Sequence, residues 1–369
     1  MIGTLIKWPG GKSREIIYIK DIIPDEYDRY VEPFFGGGAM YFYLEPKKAL
    51  INDISQQLMM FFTLIKKNDS GFKGYLYEYD YLIKHIIDIC EDNYSELHEI
   101  YIKKRDFSEK ADLAVNSFVH NHFENNITNN LILDYKIFLN HLYKNSLDKI
   151  NRTVKNEQKT PYNAEDLKEN LITGFVSGMY MYFREIYNDI ALKRLTNISV
   201  QYEIANFYFI REYCYGSMFR YNAKGEFNIP YGGMSYNRKD FSAKIKQMFD
   251  ENVINQLTGT EIYNMDFEKF FNSINLSEND FMFLDPPYDT EFSDYEGVDF
   301  TKSDQIRLAN ALKKTKAKFI LIIKNTDFIY SLYKDYFNIL YFDKTYTYNV
   351  RSRNDRDVEH LIITNLPIN

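Results

Sequence analysis

The sequence predicts an α/β fold: a Rossmann-like sheet interrupted by a largely helical insert. Three observations carry that prediction. Seven short runs, at 29–33, 48–52, 260–265, 280–285, 318–323, 338–347 and 359–364, read as strands, with helical stretches between them. The first run leads through a glycine-rich turn into an apolar helix, Tyr30-Val31-Glu32-Pro33-Phe34-Phe35-Gly36-Gly37-Gly38-Ala39. Residues 66 to about 204 instead alternate amphipathic helical stretches with Asn-rich and Lys-rich loops. With 369 residues and 45% hydrophobic content, the chain can bury a large core. The pattern divides it into a principal domain, 1–65 with 250–369, and an inserted one, 66–249.

In chain order, Lys7-Trp8-Pro9-Gly10-Gly11-Lys12 comes first and carries the only tryptophan. An indole face beside a sulfonium supplies cation–π stabilisation, and Lys12 can neutralise a ligand carboxylate. The same residues also read as a Pro-Gly turn with a buried Trp anchor. In the next turn the glycines let backbone approach a ligand closely, while the following helix presents unpaired N–H groups. The dinucleotide spacing G-x-G-x-x-G is absent, and Glu32 stands where a pyrophosphate would be repelled, so a cation-bearing cofactor fits better. Ala49-Leu50-Ile51-Asn52-Asp53 reads as a second strand whose terminal acid lies about twenty residues beyond Glu32, the separation of a carboxylate that holds ribose hydroxyls.

Further along, Asn163 followed by Asp166 marks a helix start, and Arg152 to Pro161 reads as a polar break with the character of a mobile loop. Asp266, in Asn264-Met265-Asp266-Phe267, follows the third strand and reads also as a helix N-cap. The apolar run Phe281 to Leu284 then ends in Asp285-Pro286-Pro287-Tyr288. A carboxylate accepts a hydrogen bond from an amino group, a proline carbonyl accepts another, and a tyrosine ring offers a face for a flat heterocycle. The tetrapeptide therefore points to chemistry on the exocyclic amine of a nucleobase. Taken alone, it reads as readily as a strand stop.

In the order K-W-P-G-G-K, E-P-F-F-G-G-G, I-N-D, long insert, D-P-P-Y, these elements closely resemble the DNA adenine N6 methyltransferases of the Dam type, in the arrangement called the alpha class. Phe219-Arg220-Tyr221-Asn222-Ala223-Lys224-Gly225-Glu226-Phe227-Asn228-Ile229-Pro230-Tyr231-Gly232 resembles the DNA-binding hairpin of that family, at about 216–236. The resemblance covers 1 to about 65 and about 205 to 369, with no motif placed between. It implies a methyltransferase sheet, mainly parallel with an antiparallel last strand, whose final two strands are joined around Val350 to Asp357. It implies S-adenosyl-L-methionine as cofactor, held by Trp8, Lys12, Glu32, Pro33, Phe34, Gly36, Gly38 and Asp53, with Asp266 and Phe267 at its adenine. It implies a catalytic group of Asp285, Pro286, Pro287 and Tyr288, and contact with double-stranded DNA through Lys7, Arg220, Tyr221, Asn222, Lys224, Asn228 and Pro230.

The implied reaction is direct methyl transfer to the N6 amine of a flipped-out adenine, with no covalent enzyme intermediate. Cytosine N4 methylation, an RNA substrate and a catalytically silent DNA-binding protein stand as alternatives; that N4 class more often carries Ser where this chain has Asp285. One departure concerns specificity. Members that methylate GATC commonly follow the hairpin with a basic Arg-Tyr-Lys-type segment, whereas this chain continues Gly232-Gly233-Met234-Ser235-Tyr236. A guanine-reading arginine is therefore unplaced, with Arg238 the nearest candidate. A cognate restriction endonuclease is admitted as a second partner.

Composition bounds this reading. A net charge of −7 argues against a nucleic-acid partner, since phosphate neutralisation drives non-specific binding. Distribution argues the other way: residues 302–324 hold Lys302, Arg307, Lys313, Lys314, Lys316, Lys318 and Lys324 against Asp304 alone, a local balance of +6. Residues 344–356 add Lys344, Arg351, Arg353 and Arg356 against Asp355. Such runs are also commonly solvated faces. Cys90 and Cys214 lie far apart in apolar stretches, which fits a reducing compartment, and no signal peptide or membrane-spanning run is evident, so a cytoplasmic protein is expected. His120 and His122 lack a third ligand at metal-binding spacing and read as surface histidines.

Overall fold

The structure is a computed structural model and describes residues 2–10, 15–106, 111–287, 300–345 and 357–368. The chain forms two compact units, Met1–Lys67 with Phe249–Asn369, and Asn68–Met248. In chain order the first unit supplies α1 (Ile16–Ile19), β1 (Arg29–Glu32), α2 (Ala39–Leu44), β2 (Ala49–Asn52) and α3 (Gln56–Lys66). The second comprises α4 (Ser70–Asp92), α5 (Tyr94–Arg105), α6 (Ala111–Phe123), α7 (Tyr135–Glu157), α8 (Ala164–Ala191), α9 (Val200–Tyr213) and α10 (Phe241–Met248). The chain then returns to the first with α11 (Glu251–Thr258), β3 (Thr260–Tyr263), α12 (Phe267–Ser273), β4 (Asp280–Leu284), α13 (Lys302–Leu312), β5 (Lys318–Lys324), α14 (Asp327–Tyr333), β6 (Asn338–Thr345) and β7 (Asp357–Thr364). All seven predicted strands form, each within two residues of its predicted ends.

The sheet runs β3-β2-β1-β4-β5-β7-β6. β1 to β5 are parallel, and β7 lies antiparallel between β5 and β6, which is the reversed strand expected at the end of the sheet. Parallel strands covered on both faces read as continuous apolar runs, and β2, β4 and the middle of β5 are buried throughout. One face packs Val31, Leu50, Met282, Phe319 and Leu321 against Phe267 and Phe270 of α12, Leu308 and Leu312 of α13, and Ile329 of α14. Strand order reverses at β1, which pairs with β2 on one side and β4 on the other. Ligands of open α/β sheets bind beyond the carboxyl ends of the strands at such a point. Arg29 locks the two strand starts together with a bidentate pair to Asp280, its Nε donating to Oδ1 at 2.8 Å and Nη2 to Oδ2 at 2.7 Å.

The second unit is largely helical from α4 to α9, with a non-helical stretch between α9 and α10. Asn163 caps α8 as expected, its side chain accepting from the Asp166 N–H at 2.8 Å. The break expected over Arg152 to Pro161 is corrected in part: α7 continues to Glu157. Ile150 and Thr153 are buried, Arg152 pairs with Asp148 one turn back, and Glu157 accepts from the Tyr101 hydroxyl, so the polar stretch is one wet face of a packed helix. His120 and His122 pair with Glu124 and Glu96, and no cluster of metal-ligating side chains occurs among the described residues. No helix of the described residues is long and apolar enough to cross a membrane.

Candidate active site

The carboxyl ends of β1, β2, β3 and β4 open onto one cleft within the first unit. Its lining includes Trp8, Glu32, Pro33, Phe34, Gly36, Gly38, Asp53, Asp266, Phe267, Asp285, Pro286 and Pro287, so twelve of the residues singled out in the sequence are brought together. Lys12 and Tyr288 lie outside the described residues, as do Arg351, Arg353 and Arg356. Lys7 is exposed and precedes the lining residue Trp8.

The turn after β1 is held by the acid at the end of β2. Asp53 accepts from the Gly36 N–H through Oδ2 at 2.9 Å and from the Ser55 N–H through Oδ1 at 3.0 Å. Burial raises the Asp53 carboxyl, against those N–H donors. Gly36 and Gly38 adopt φ of 50° and 69°, which glycine alone takes without strain. A Cβ on Gly36 would meet Trp8 Cδ1 at 3.0 Å, so the indole lies directly against this turn. Asn52, buried, was not picked out by sequence reasoning, yet it joins three strand ends: Nδ2 donates to the carbonyls of Pro33 and Met265 at 3.0 Å each, and Oδ1 accepts from the Met265 N–H at 3.0 Å.

Asp266 bears out its N-cap reading and also lines the cleft. It caps α12, Oδ1 accepting from the Glu268 N–H at 3.0 Å. Its carboxylate is also fixed by Arg307 Nη2 at 2.6 Å, while Arg307 reaches Glu268 at 2.8 Å and Asp304 at 2.6 Å and lies 4.7 Å from the centre of the Phe267 ring. Arg307 is thus committed to three carboxylates, two of which, Asp266 and Asp304, line the cleft. Lys302 and Lys313 of the same basic run lie over the Phe328 and Tyr336 rings. Phe34, Phe267 and Phe300 cluster with ring centres 5.4 to 5.7 Å apart and give the cleft an apolar side. The capping pair Thr301 and Asp304 before an apolar run was the one sequence signal that could have located the Arg307 network.

Glu32, Asp53, Asp266, Asp285 and Asp304 line the cleft, and among the described residues no lysine or arginine does. That balance favours a cationic ligand. Burial raises the Glu32 carboxyl well above the usual range; the Tyr30 hydroxyl, donating to Oε2 at 2.8 Å, opposes the rise, and the charges of Asp285 and Asp53 add to it. A carboxyl that keeps its proton longer in the fold than in the unfolded chain costs stability as pH climbs from the ordinary carboxyl range through the raised one. A cationic ligand favours the ionised form, so its affinity rises with pH over that window and its binding releases a proton. Titration calorimetry of the ligand in buffers of different ionisation heat should show this release, and Glu32→Gln should remove it. Binding with no proton exchange in the wild-type protein would exclude Glu32 as the responding group.

In the second unit, residues 219–232 form the expected hairpin. Tyr221 bridges Phe227, the Asn228 N–H donates to the Arg220 carbonyl at 3.1 Å, and the Asn222 N–H donates to the Glu226 carbonyl at 2.9 Å. Asn222 Oδ1 accepts from the N–H groups of Lys224 and Glu226, so it builds the turn tip. Arg220 Nε donates to Asn228 Oδ1 at 2.7 Å; Arg220, Lys224 and Pro230 are exposed. Buried Arg211 anchors the base, donating to the carbonyls of Ser217 and Met218 at 2.6 and 2.9 Å and lying 3.6 Å from the Phe219 ring centre. Arg238, the candidate base reader, is bound to Glu169 at 2.5 Å and Glu91 at 2.9 Å.

A parallel sheet with one reversed strand, an acidic cleft at its switch point and a proline-flanked carboxylate beside it define the class of the nucleobase amino-methyltransferases. The chain belongs to the D12 class N6 adenine-specific DNA methyltransferase family, whose pattern matches residues 8–127 and 116–348. The match runs across the helical insert, where sequence motifs had placed nothing. The chain is 26% identical over 367 residues to the Type II methyltransferase M.CviBI of Paramecium bursaria Chlorella virus NC1A, covering 98% of each. It is 27% identical over 360 residues to the Type II methyltransferase M.MjaIII of Methanocaldococcus jannaschii, covering 92% of this chain and 90% of that one. With the DNA adenine methylase of Vibrio cholerae it shares 26% identity over 184 residues, 47% of this chain and 64% of the other. Adenine N6 therefore takes precedence over cytosine N4, and the reaction consumes a methyl donor and acts on DNA.

Proposed function

We propose that this protein methylates the N6 amine of a flipped-out adenine in double-stranded DNA, with S-adenosyl-L-methionine as donor. The observation that carries the reading is the acidic cleft: Glu32 and Asp285 leave adjacent strands into a pocket lined by carboxylates, beside a glycine turn pressed against Trp8. When bound, S-adenosyl-L-methionine supplies an electrophilic methyl on a sulfonium. Glu32, Gly36, Gly38 and Trp8 hold its cationic end, Asp53 the ribose, Asp266, Phe267 and Phe34 the adenine, and Lys12 the carboxylate. The chemistry of these side chains fits that group: acids for cationic centres, aromatic faces for a base, and a backbone cradle that a Cβ would fill.

Adenine N6 is a poor nucleophile because its lone pair is delocalised into the ring. Asp285 and the Pro286 carbonyl accept hydrogen bonds from the amine protons and draw the nitrogen toward tetrahedral geometry. Tyr288 supplies the stacking face that offsets the few kcal/mol of base flipping. The second unit acts as the target-recognition region, with the exposed hairpin cations Arg220 and Lys224, together with Tyr221, Asn222, Asn228, Pro230 and Lys7, on the DNA. Near full-length likeness to two Type II methyltransferases supports a restriction-modification setting with a cognate endonuclease. Two buried, unpaired cysteines support a cytoplasmic location.

The experiment is long-read modification sequencing of plasmid DNA from a methylation-deficient host that expresses the chain. N6-methyladenine at one recurring motif is expected. Unmarked DNA, with folded protein that binds S-adenosyl-L-methionine, would overturn the assignment in favour of a silent DNA-binding role or an RNA substrate.

A further inference from the structure

We propose that Gln305 is a positioning residue for methyl transfer: its buried side-chain amide fixes the Pro287 carbonyl and thereby the orientation of the Asp285-Pro286-Pro287 turn. Gln305 is fully buried, and Nε2 donates to the Pro287 carbonyl oxygen at 3.1 Å across 18 residues of sequence. Its other polar atom, Oε1, is also buried and has no hydrogen-bond partner among the described residues. A buried amide with half its capacity unused is an expensive way to fill a core position, and Met or Leu of similar volume would fill it without that cost. Packing therefore does not explain this residue. What the amide provides is a single directed donor at the catalytic turn.

The turn needs that donor for a specific reason. Pro286 and Pro287 have fixed φ and carry no N–H, so neither can be held by donating to the surrounding backbone. The orientation of each carbonyl depends on ψ alone, and a hydrogen bond at the Pro287 oxygen pins it. The Pro286 carbonyl and the Asp285 carboxylate stand directly upstream on the same short backbone, and the peptide unit held by Gln305 leads into Tyr288. A hydrogen-bonding site misaligned by about 1 Å can cost on the order of a hundredfold in rate, so pinning matters even though Gln305 touches no reacting atom.

The donor is itself held rigidly. Thr301 and Asp304 form a capping box at the start of α13, and the Gln305 N–H donates to the Thr301 carbonyl at 3.0 Å. Asp304 is tied in turn to Arg307, which holds Asp266 on the cofactor wall. The first turns of one helix thus brace the catalytic turn through Gln305 and the opposite wall through Arg307.

This inference rests on the proposed methyltransferase reading, and the experiment separates the two. Wild-type protein is first assayed for methyl incorporation into DNA, and an inactive wild type overturns the function and this role with it. With active wild type, Gln305→Met and Gln305→Glu are compared for kcat, KM of donor and DNA, and melting temperature. Gln305→Met should melt at or above the wild-type temperature and lose about tenfold or more in kcat, with the donor KM within about threefold of wild type. Gln305→Glu gives the signature that packing cannot: its carboxylate has no proton to donate to Pro287, whereas the protonated acid does. Its kcat relative to wild type should therefore recover as pH falls. Unchanged kcat in Gln305→Met, or a Gln305→Glu ratio independent of pH, would overturn the proposal. If Gln305→Met fails to fold, the pH profile of Gln305→Glu decides alone.

Discussion

Replacing Asp285 with alanine is expected to abolish methylation while the protein still binds S-adenosyl-L-methionine. The carboxylate stands at the carboxyl end of β4, in the cleft, at the switch point of the sheet. Its proposed work is confined to the amine, because a lone pair delocalised into a purine becomes nucleophilic only when acceptors draw its protons out of the ring plane. Loss of a preorganised hydrogen-bonding group of this kind costs about a hundredfold to a thousandfold in kcat, and here the acceptor is charged, which places the loss at the upper end. Donor affinity should shift by less than about threefold, because losing the Asp285 charge removes one attraction for a cationic ligand while easing ionisation of the neighbouring Glu32 carboxyl. Single-turnover methyl transfer and calorimetric donor binding measure the two quantities separately. More than a tenth of wild-type kcat in Asp285→Ala would remove the carboxylate from its role.

The second large effect is expected from Gly38→Ala, and it falls on binding and stability together. Gly38 is the N-cap of α2 in the left-handed region, and a Cβ there would lie 2.6 Å from Phe35 Cζ. The Phe35 ring cannot retreat, since it is buried and packed edge-on against Tyr41 at 5.5 Å and Phe62 at 4.9 Å. Left-handed backbone costs an alanine about 1–2 kcal/mol, and the overlap adds to it, so unfolding free energy should drop by about 2 kcal/mol or more. The turn that relaxes is the one whose Gly36 N–H is held by Asp53, and donor affinity should fall about tenfold or more. Gly37→Ala is the control: its Cβ would stand 3.3 Å from the Ile6 carbonyl and Trp8 Cβ, at a backbone conformation open to alanine, and the loss should be much smaller. Equal effects at both positions would refute the conformational argument.

How much of this was legible in the sequence follows from which residues act locally. The strands were legible because parallel strands buried on both faces leave uninterrupted apolar runs, as Phe281 to Leu284 and Phe319 to Ile323 do. Glu32, Asp53 and Asp285 were legible because each follows such a run, where the topology places functional groups. Asn52 was not, since a polar residue closing a short strand carries no mark of the carbonyls it joins, one 19 residues before it and the other 213 after. The role of Arg307 was not legible because its carboxylate partners at 266 and 268 lie far upstream, and a run of seven cations looks alike whether it meets phosphate, carboxylate or solvent. Gln305 reads as an ordinary helical residue until the Pro287 carbonyl is seen beside it. Arg152 to Glu157 misled in the opposite direction, a polar stretch whose buried Thr153 continues the helix.

The order of strands in the sheet also bears on how the protein is made. β1 and β2 come from the first 67 residues, yet the strands that flank them, β4 and β3, are synthesised only after the whole helical unit has passed. At about 5–20 residues per second, β1 waits on the order of ten to fifty seconds for β4. During that interval β1 and β2 lack the neighbours that complete the sheet, and a two-stranded fragment is marginally stable in water. Completion of the sheet is thus a late event in translation, and a chain interrupted between the helical unit and β4 would carry that unit with no assembled cleft.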